Sequence, residues 1–119
     1  MSEFGEKLKE RTKQFGLRII KMSFAIPNNP AGWVLGKQVL RSGTSVGANY
    51  REAFRARSTA EFLAKMGDSL KEIEETDYWL EMIADSALVP KKKLSALRKE
   101  AKELDALFVS IIKSKKRNS

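Results

Sequence analysis

The segment Ser58–Ile83 reads STAEFLAKMGDSLKEIEETDYWLEMI. It opens with Ser58 and Glu61 in the spacing of a capping box, where a serine hydroxyl accepts from a free amide of the first helical turn and a glutamate reaches back. Behind that signal Phe62, Met66, Leu70, Ile73, Leu80 and Ile83 follow at intervals of 4, 4, 3, 7 and 3. At about 100° per residue they share one face. The segment is predicted to be a long amphipathic helix from Thr59 to near Ala87.

The same period recurs on either side. From Glu3 to Ile26, Phe4, Leu8, Phe15, Ile19, Met22 and Ile26 form one stripe. From Ala31 to Arg57, behind Pro30, Leu35, Val39, Val46 and Ala53 form another. From Lys91 to Lys116, Leu94, Leu97, Ala101, Leu104, Phe108, Ile111 and Ile112 form the last. Breaks fall at Pro27–Pro30, at Arg57–Ser58 and at Val89–Pro90. No segment alternates with period two, so no strand is predicted. Long amphipathic helices joined by short turns make an all-α, up-down-up-down antiparallel four-helix bundle. It is expected to be one domain over residues 1–119, with a basic tail, 113–119, that frays.

At 119 residues the chain is long enough for one core without staples. It contains no cysteine and no histidine. That excludes disulfides, thiolate nucleophiles, zinc fingers and His-based acid–base chemistry, so neither a cofactor nor a metal is expected. A carboxylate pair such as Glu74 and Asp77 lacks the Glu-x-x-His pattern of a di-iron bundle, and a structural salt bridge is the better reading of Asp77. The protein is therefore not expected to be an enzyme. No apolar run is long enough to span a membrane. The charged start, Met1 to Lys7, lacks the apolar core of a signal peptide, and the reading is a cytoplasmic protein. Lys and Arg number 23 against 15 Asp and Glu, a formal charge of +8. Such a balance favours RNA, DNA or another polyanion as partner.

The helices carry more apolar and small surface than one bundle needs. Leu17, Ile20 and Phe24 form a second stripe on helix one. Gly36, Leu40, Gly43, Gly47 and Phe54 flank the core face of helix two, and Ala60, Ala64 and Gly67 make a small ridge on helix three. Each helical glycine costs about 1 kcal/mol relative to alanine, which close approach of another backbone would offset. That backbone is expected to belong to a second copy of the chain; the other reading is tight packing inside the bundle. Ser42, Ser45, Asn49 and Glu52 share one edge of helix two and read as a structural hydrogen-bond network.

The run Gly36–Ala53, GKQVLRSGTSVGANYREA, resembles the signature of the bacterial four-helix-bundle family named after the 23S rRNA intervening-sequence protein. STAEFLAKM from Ser58 and SLKEIEETDYWL from Ser69 are similar to that family too. The resemblance implies a ring-like homopentamer with no established enzymatic activity. A related branch, the accessory proteins of diversity-generating retroelements, binds nucleic acid and a reverse transcriptase.

Candidate nucleic-acid contacts are Lys37, Arg41, Arg51 and Arg55 on helix two, Lys91, Lys92 and Lys93 at the last turn between helices, and Lys113, Lys115, Lys116 and Arg117 in the tail. The helix-two stripe has two rival readings. It is a solvated face, or it meets an acidic stripe, Glu61, Asp68, Glu72 and Glu75, on helix three of a neighbouring subunit. Trp33, Tyr50, Tyr78 and Trp79 are candidates for base stacking. The expected function is a non-enzymatic homo-oligomer binding nucleic acid through repeated basic patches. The alternative is a protein–protein adaptor.

Overall fold

The computed structural model describes residues 2–118, which form α1 (Glu3–Ser23), α2 (Pro30–Phe54), α3 (Thr59–Asp85) and α4 (Lys91–Arg117), with no strand among them. The first three helices begin where a side chain can satisfy a free amide. Ser2 accepts from Gly5 N (3.0 Å), Asn29 from Gly32 N (2.8 Å) and Ser58 from Glu61 N (3.0 Å). The return half of the capping box is shifted by one residue: Glu61 accepts from Arg57 N at 3.4 Å.

Two helix ends differ from the expectation. α3 stops at Asp85, where Leu88 N donates to Ile83 O, Ala87 N donates to Ala84 O, and Ala87 takes a φ of 61°. This is a Schellman ending with alanine at the position that favours glycine. At the other end of the chain, Lys113–Arg117 of the tail expected to fray forms the last turns of α4, and Ser119 lies outside the described residues. Ile111 and Ile112 pack on the core there, and Lys115 Nζ lies 5.6 Å from the centre of the Phe62 ring. Those contacts hold the last turns, whose cations also complement the helix dipole.

The molecule is a rod 47 Å long and about 20 Å across. α2 lies between α1 and α3, and α4 leans on α3 while touching α1 over a short stretch. The predicted stripes meet at the axis, where Phe15, Ile19, Val39, Val46, Met66, Ile73, Leu80, Leu94, Leu104 and Phe108 are fully buried. Phe4 departs from its stripe and is 54% exposed, because the first turn of α1 runs to the open end of the bundle. Tyr50 is buried, not available for stacking, and its hydroxyl donates to Gly5 O at 2.9 Å.

The glycine flank of α2 belongs to the chain's own packing. A Cβ on Gly43 would stand 2.8 Å from Ile19 Cγ1, and one on Gly47 would stand 3.4 Å from the Thr12 backbone. Gly36 faces Ile26, Phe54 covers Gly5, and Leu40 packs on the core. Of the flank expected to face a second subunit, Gly43, Gly47 and Phe54 lie against α1, and Gly36 lies against Ile26 in the turn that follows it. On its other flank α2 meets α3 through hydroxyls. Thr76 Oγ1 lies 2.8 Å from Ser42 Oγ, and Ser69 Oγ donates to Val46 O at 2.7 Å, all of it buried. Ser45 instead bonds back to Arg41 O (2.6 Å), Glu52 pairs with Lys65 (3.1 Å), and Asn49 has no side-chain partner among the described residues.

Opposite outcomes are expected for three small substitutions. Gly43→Ala should destabilise by about 1–3 kcal/mol, since Ile19 must move. Gly67→Ala should stabilise by about 1 kcal/mol, because nothing lies within 4 Å of its added methyl. Ala87→Gly should also stabilise, by about 1 kcal/mol, by relieving the left-handed backbone. Urea unfolding of the three variants checks the signs.

Candidate nucleic-acid interface and outer faces

Charge is segregated by helix. α4 carries ten Lys and Arg against three Asp and Glu, whereas its neighbour α3 carries two against eight. Part of this imbalance is settled along the seams. Arg11 makes a two-pronged pair with Glu100 (2.8 and 2.8 Å) and reaches Glu103 (3.0 Å), tying α1 to α4. Asp77 receives Arg98 (3.3 Å) and Lys102 (3.5 Å) across the α3–α4 seam. Asp77 therefore has the salt-bridge role expected of it.

The basic stripe of α2 is divided. Arg41 pairs with Glu72 (3.1 Å) and Glu75 (2.7 Å) of its own α3. The predicted meeting of basic helix two with acidic helix three does occur for these residues, but inside one chain. The physical reason is reach: the long Arg41 side chain leans from the outer face of α2 onto the adjacent seam. Lys37, Arg51 and Arg55 remain exposed with no ion pair among the described residues.

On α4, Lys91, Lys92 and Lys93 occupy the first helical turn, preceded by Pro90 with no side-chain cap. Cations there oppose the helix dipole, at a typical cost of about 0.3–1 kcal/mol each. Asp85 offsets only Lys91, at 3.7 Å. Between this cluster and Lys113–Arg117 lie Lys99 and Lys102, both exposed and both absent from the sequence-based candidates. The signal that would have found them is the period of the polar face of α4, which the search for apolar stripes leaves unread.

The outer apolar positions stay open. Leu17 is 46% exposed, Phe24 82% and Trp33 61%, with Ile20 half-buried beside them. Trp33 Nε1 donates to Asn28 Oδ1, which fixes the indole against the α1–α2 turn. Ala60, Ala64 and Gly67 are exposed on the outer arc of α3, in line with exposed Tyr78 and Met82. Trp79 is half-buried, and its indole nitrogen is buried without a partner among the described residues. It lies against Tyr78, ring centres 5.1 Å apart, so only Trp33 and Tyr78 of the stacking candidates face solvent.

Carboxylate chemistry is confined to one place. Glu74 on α3 and Asp105 on α4 share a hydrogen bond, which with partial burial and mutual repulsion raises the Glu74 carboxyl above its usual range. Lys102 and Asp77 line the same hollow, where the Asp77 carboxylate is held by Arg98 and Lys102. A raised carboxyl binds its proton more tightly in the folded chain. Its stabilisation is complete at low pH and is lost as pH rises through the raised value. Asp105→Asn should therefore melt about a degree or two higher than wild type at pH 7, a small gap because Glu74 faces water. The gap should narrow as the pH falls below the raised value, where Glu74 of the wild type holds its proton; melts across pH 3.5–8 check this.

Among the described residues no helix is long and apolar enough to cross a membrane. No curated protein matches the chain. A solved structure of a protein of unknown function from the S23 ribosomal protein family of Bacteroides thetaiotaomicron VPI-5482 is similar to it, at 37% identity and a TM-score of 0.85, covering 92% of this chain and 97% of that one. The sequence pattern of the family described as 23S rRNA-intervening sequence protein matches residues 7–110. With the helix order, the α2 signature and the fold in agreement, the chain belongs to the 23S rRNA-intervening sequence protein family.

Proposed function

We propose that the protein is a non-enzymatic, ring-like homo-oligomer that binds RNA or DNA through basic patches repeated in each subunit. The observation that carries this reading is the unbalanced charge of α4, ten cations against three carboxylates, two of which are committed to Arg11. Lys92 and Lys93 oppose the helix dipole with no ion-pair partner among the described residues, which lowers the stability of the fold, so a polyanion outside the chain is their natural counterpart. Oligomerisation is supported by two outer faces left without intrachain partners: Leu17, Ile20 and Phe24 on α1, and Ala60, Ala64 and Gly67 on α3. The subunit number of five comes from the family resemblance. A ring would repeat each weak phosphate contact and raise the effective affinity.

A protein–protein adaptor is the second reading, favoured by exposed Phe24, Trp33 and Val34 grouped near the α1–α2 turn. The two readings part in solution. Light scattering should give about 67 kDa, five chains of 13.4 kDa. Titration with duplex and single-stranded RNA and DNA at about 50 mM salt should show binding that weakens steeply as salt rises. A monomer at micromolar concentration would remove the ring. Absence of binding to every nucleic acid would favour the adaptor.

A further inference from the structure

We propose that the outward face of α4 is a rail that tracks the phosphates of a nucleic-acid duplex. This rests on the nucleic-acid reading and narrows it to one helix and one form of ligand. Positions 92, 95, 99, 102, 106, 110, 113 and 117 follow one another by three or four residues, and all are exposed. They fall within about 80° of each other, opposite the buried stripe of Leu94, Leu97, Ala101, Leu104 and Phe108. Five of them are cations: Lys92, Lys99, Lys102, Lys113 and Arg117. The others are Ser95, Ala106 and Ser110, small enough for a backbone to approach closely.

No carboxylate interrupts the line. Glu100 and Glu103 are turned to Arg11 of α1, and Asp105 is turned to Glu74 of α3. Of the five cations only Lys102 has an ion-pair partner among the described residues, Asp77. Because α4 is one continuous helix from Lys91 to Arg117, the cations keep a fixed spacing along it. The 27 residues extend about 40 Å, the length of roughly 12 base pairs.

The choice of duplex over single strand comes from what the face lacks. Single-strand binders pair cations with exposed aromatics on which bases stack. The one aromatic residue of α4 is Phe108, which is fully buried. Lysines at fixed spacing with small residues between them can follow a regular backbone but cannot hold unstacked bases.

The test is fluorescence anisotropy at about 50 mM salt with a 20-base-pair duplex, as RNA and as DNA, and the corresponding single strands. The Lys92→Gln/Lys99→Gln/Lys113→Gln variant should bind duplex at least about tenfold more weakly, with a salt slope shallower by roughly two to three. Lys37→Gln/Arg51→Gln/Arg55→Gln should lose less, and arginine at the three α4 positions should retain binding. If light scattering shows that the α4 triple variant changes assembly, the single Lys99→Glu decides, with weaker duplex binding expected. Wild-type affinity from the α4 triple, or from Lys99→Glu in that case, would overturn the rail while leaving the nucleic-acid reading standing. So would a preference of the wild type for single strands. Failure of the wild type to bind any of the probes would overturn the nucleic-acid reading itself.

Discussion

At Gly43 the backbone of α2 comes so close to Ile19 of α1 that a single methyl would overlap the isoleucine side chain, 2.8 Å from its Cγ1. The distance between the first two helices is set by a side chain that is not there. This contact uses the glycine flank of α2 and presses the helix into the middle of the bundle. Its opposite flank then falls against α3, where Ser42, Thr76 and Ser69 can form buried hydroxyl contacts only at one register. A one-turn slip of α3 would strand the Ser69 hydroxyl, at about 1–3 kcal/mol, and would part Thr76 from Ser42, which keep only their bonds back to Glu72 O and Val39 O of their own helices. With both flanks committed, the outer arc of α2 remains for solvent or partners, with apolar Trp33 and Val34 at its start and mostly cations beyond them.

The charge pattern has the same logic of committed and uncommitted faces. Ion pairs lie along the seams: Arg41 with Glu72 and Glu75, Arg98 and Lys102 with Asp77, Arg11 with Glu100 and Glu103. Each contributes little to stability where it is wet, but together they oppose misplaced neighbours. What they leave is an outer surface of unequal sign. The outer arc of α3 holds exposed Asp68, Glu81 and Asp85 beside one lysine, Lys71, while the exposed charges of α4 are cations except for Glu103, which pairs with Arg11. Packing of the core stabilises the fold in spite of this separation.

Fold and function are therefore written on different surfaces of the same helices. The similarity to the Bacteroides thetaiotaomicron protein extends over nearly the whole of both chains and accounts for the bundle. A shared bundle does not carry an activity with it. The functional proposals rest instead on outward positions: the cations of α4, the remaining cations of α2, and the small ridge of α3.

The sequence by itself determined the number of helices, the breaks between them, the N-cap at Ser58, the helix start near Pro30, and most of the core, because each is a local or periodic property. Apolar residues at helical spacing must share a face, and a proline or capping serine acts within a few residues of itself. It also placed Lys91–Lys93 and Lys113–Arg117 as cationic clusters, since charge needs no neighbour to be read. Only the tertiary structure decided what lies opposite each face. Gly43 could have met a second chain or α1, and its neighbour is Ile19 of α1. Arg41 could have faced water, a nucleic acid or another subunit, and it meets Glu72 and Glu75 of its own chain. The tail could have frayed, but Phe62, far away in sequence, stands beneath Lys115. These outcomes depend on contacts between residues tens of positions apart, and helical periodicity fixes the direction of a side chain without naming what it will touch.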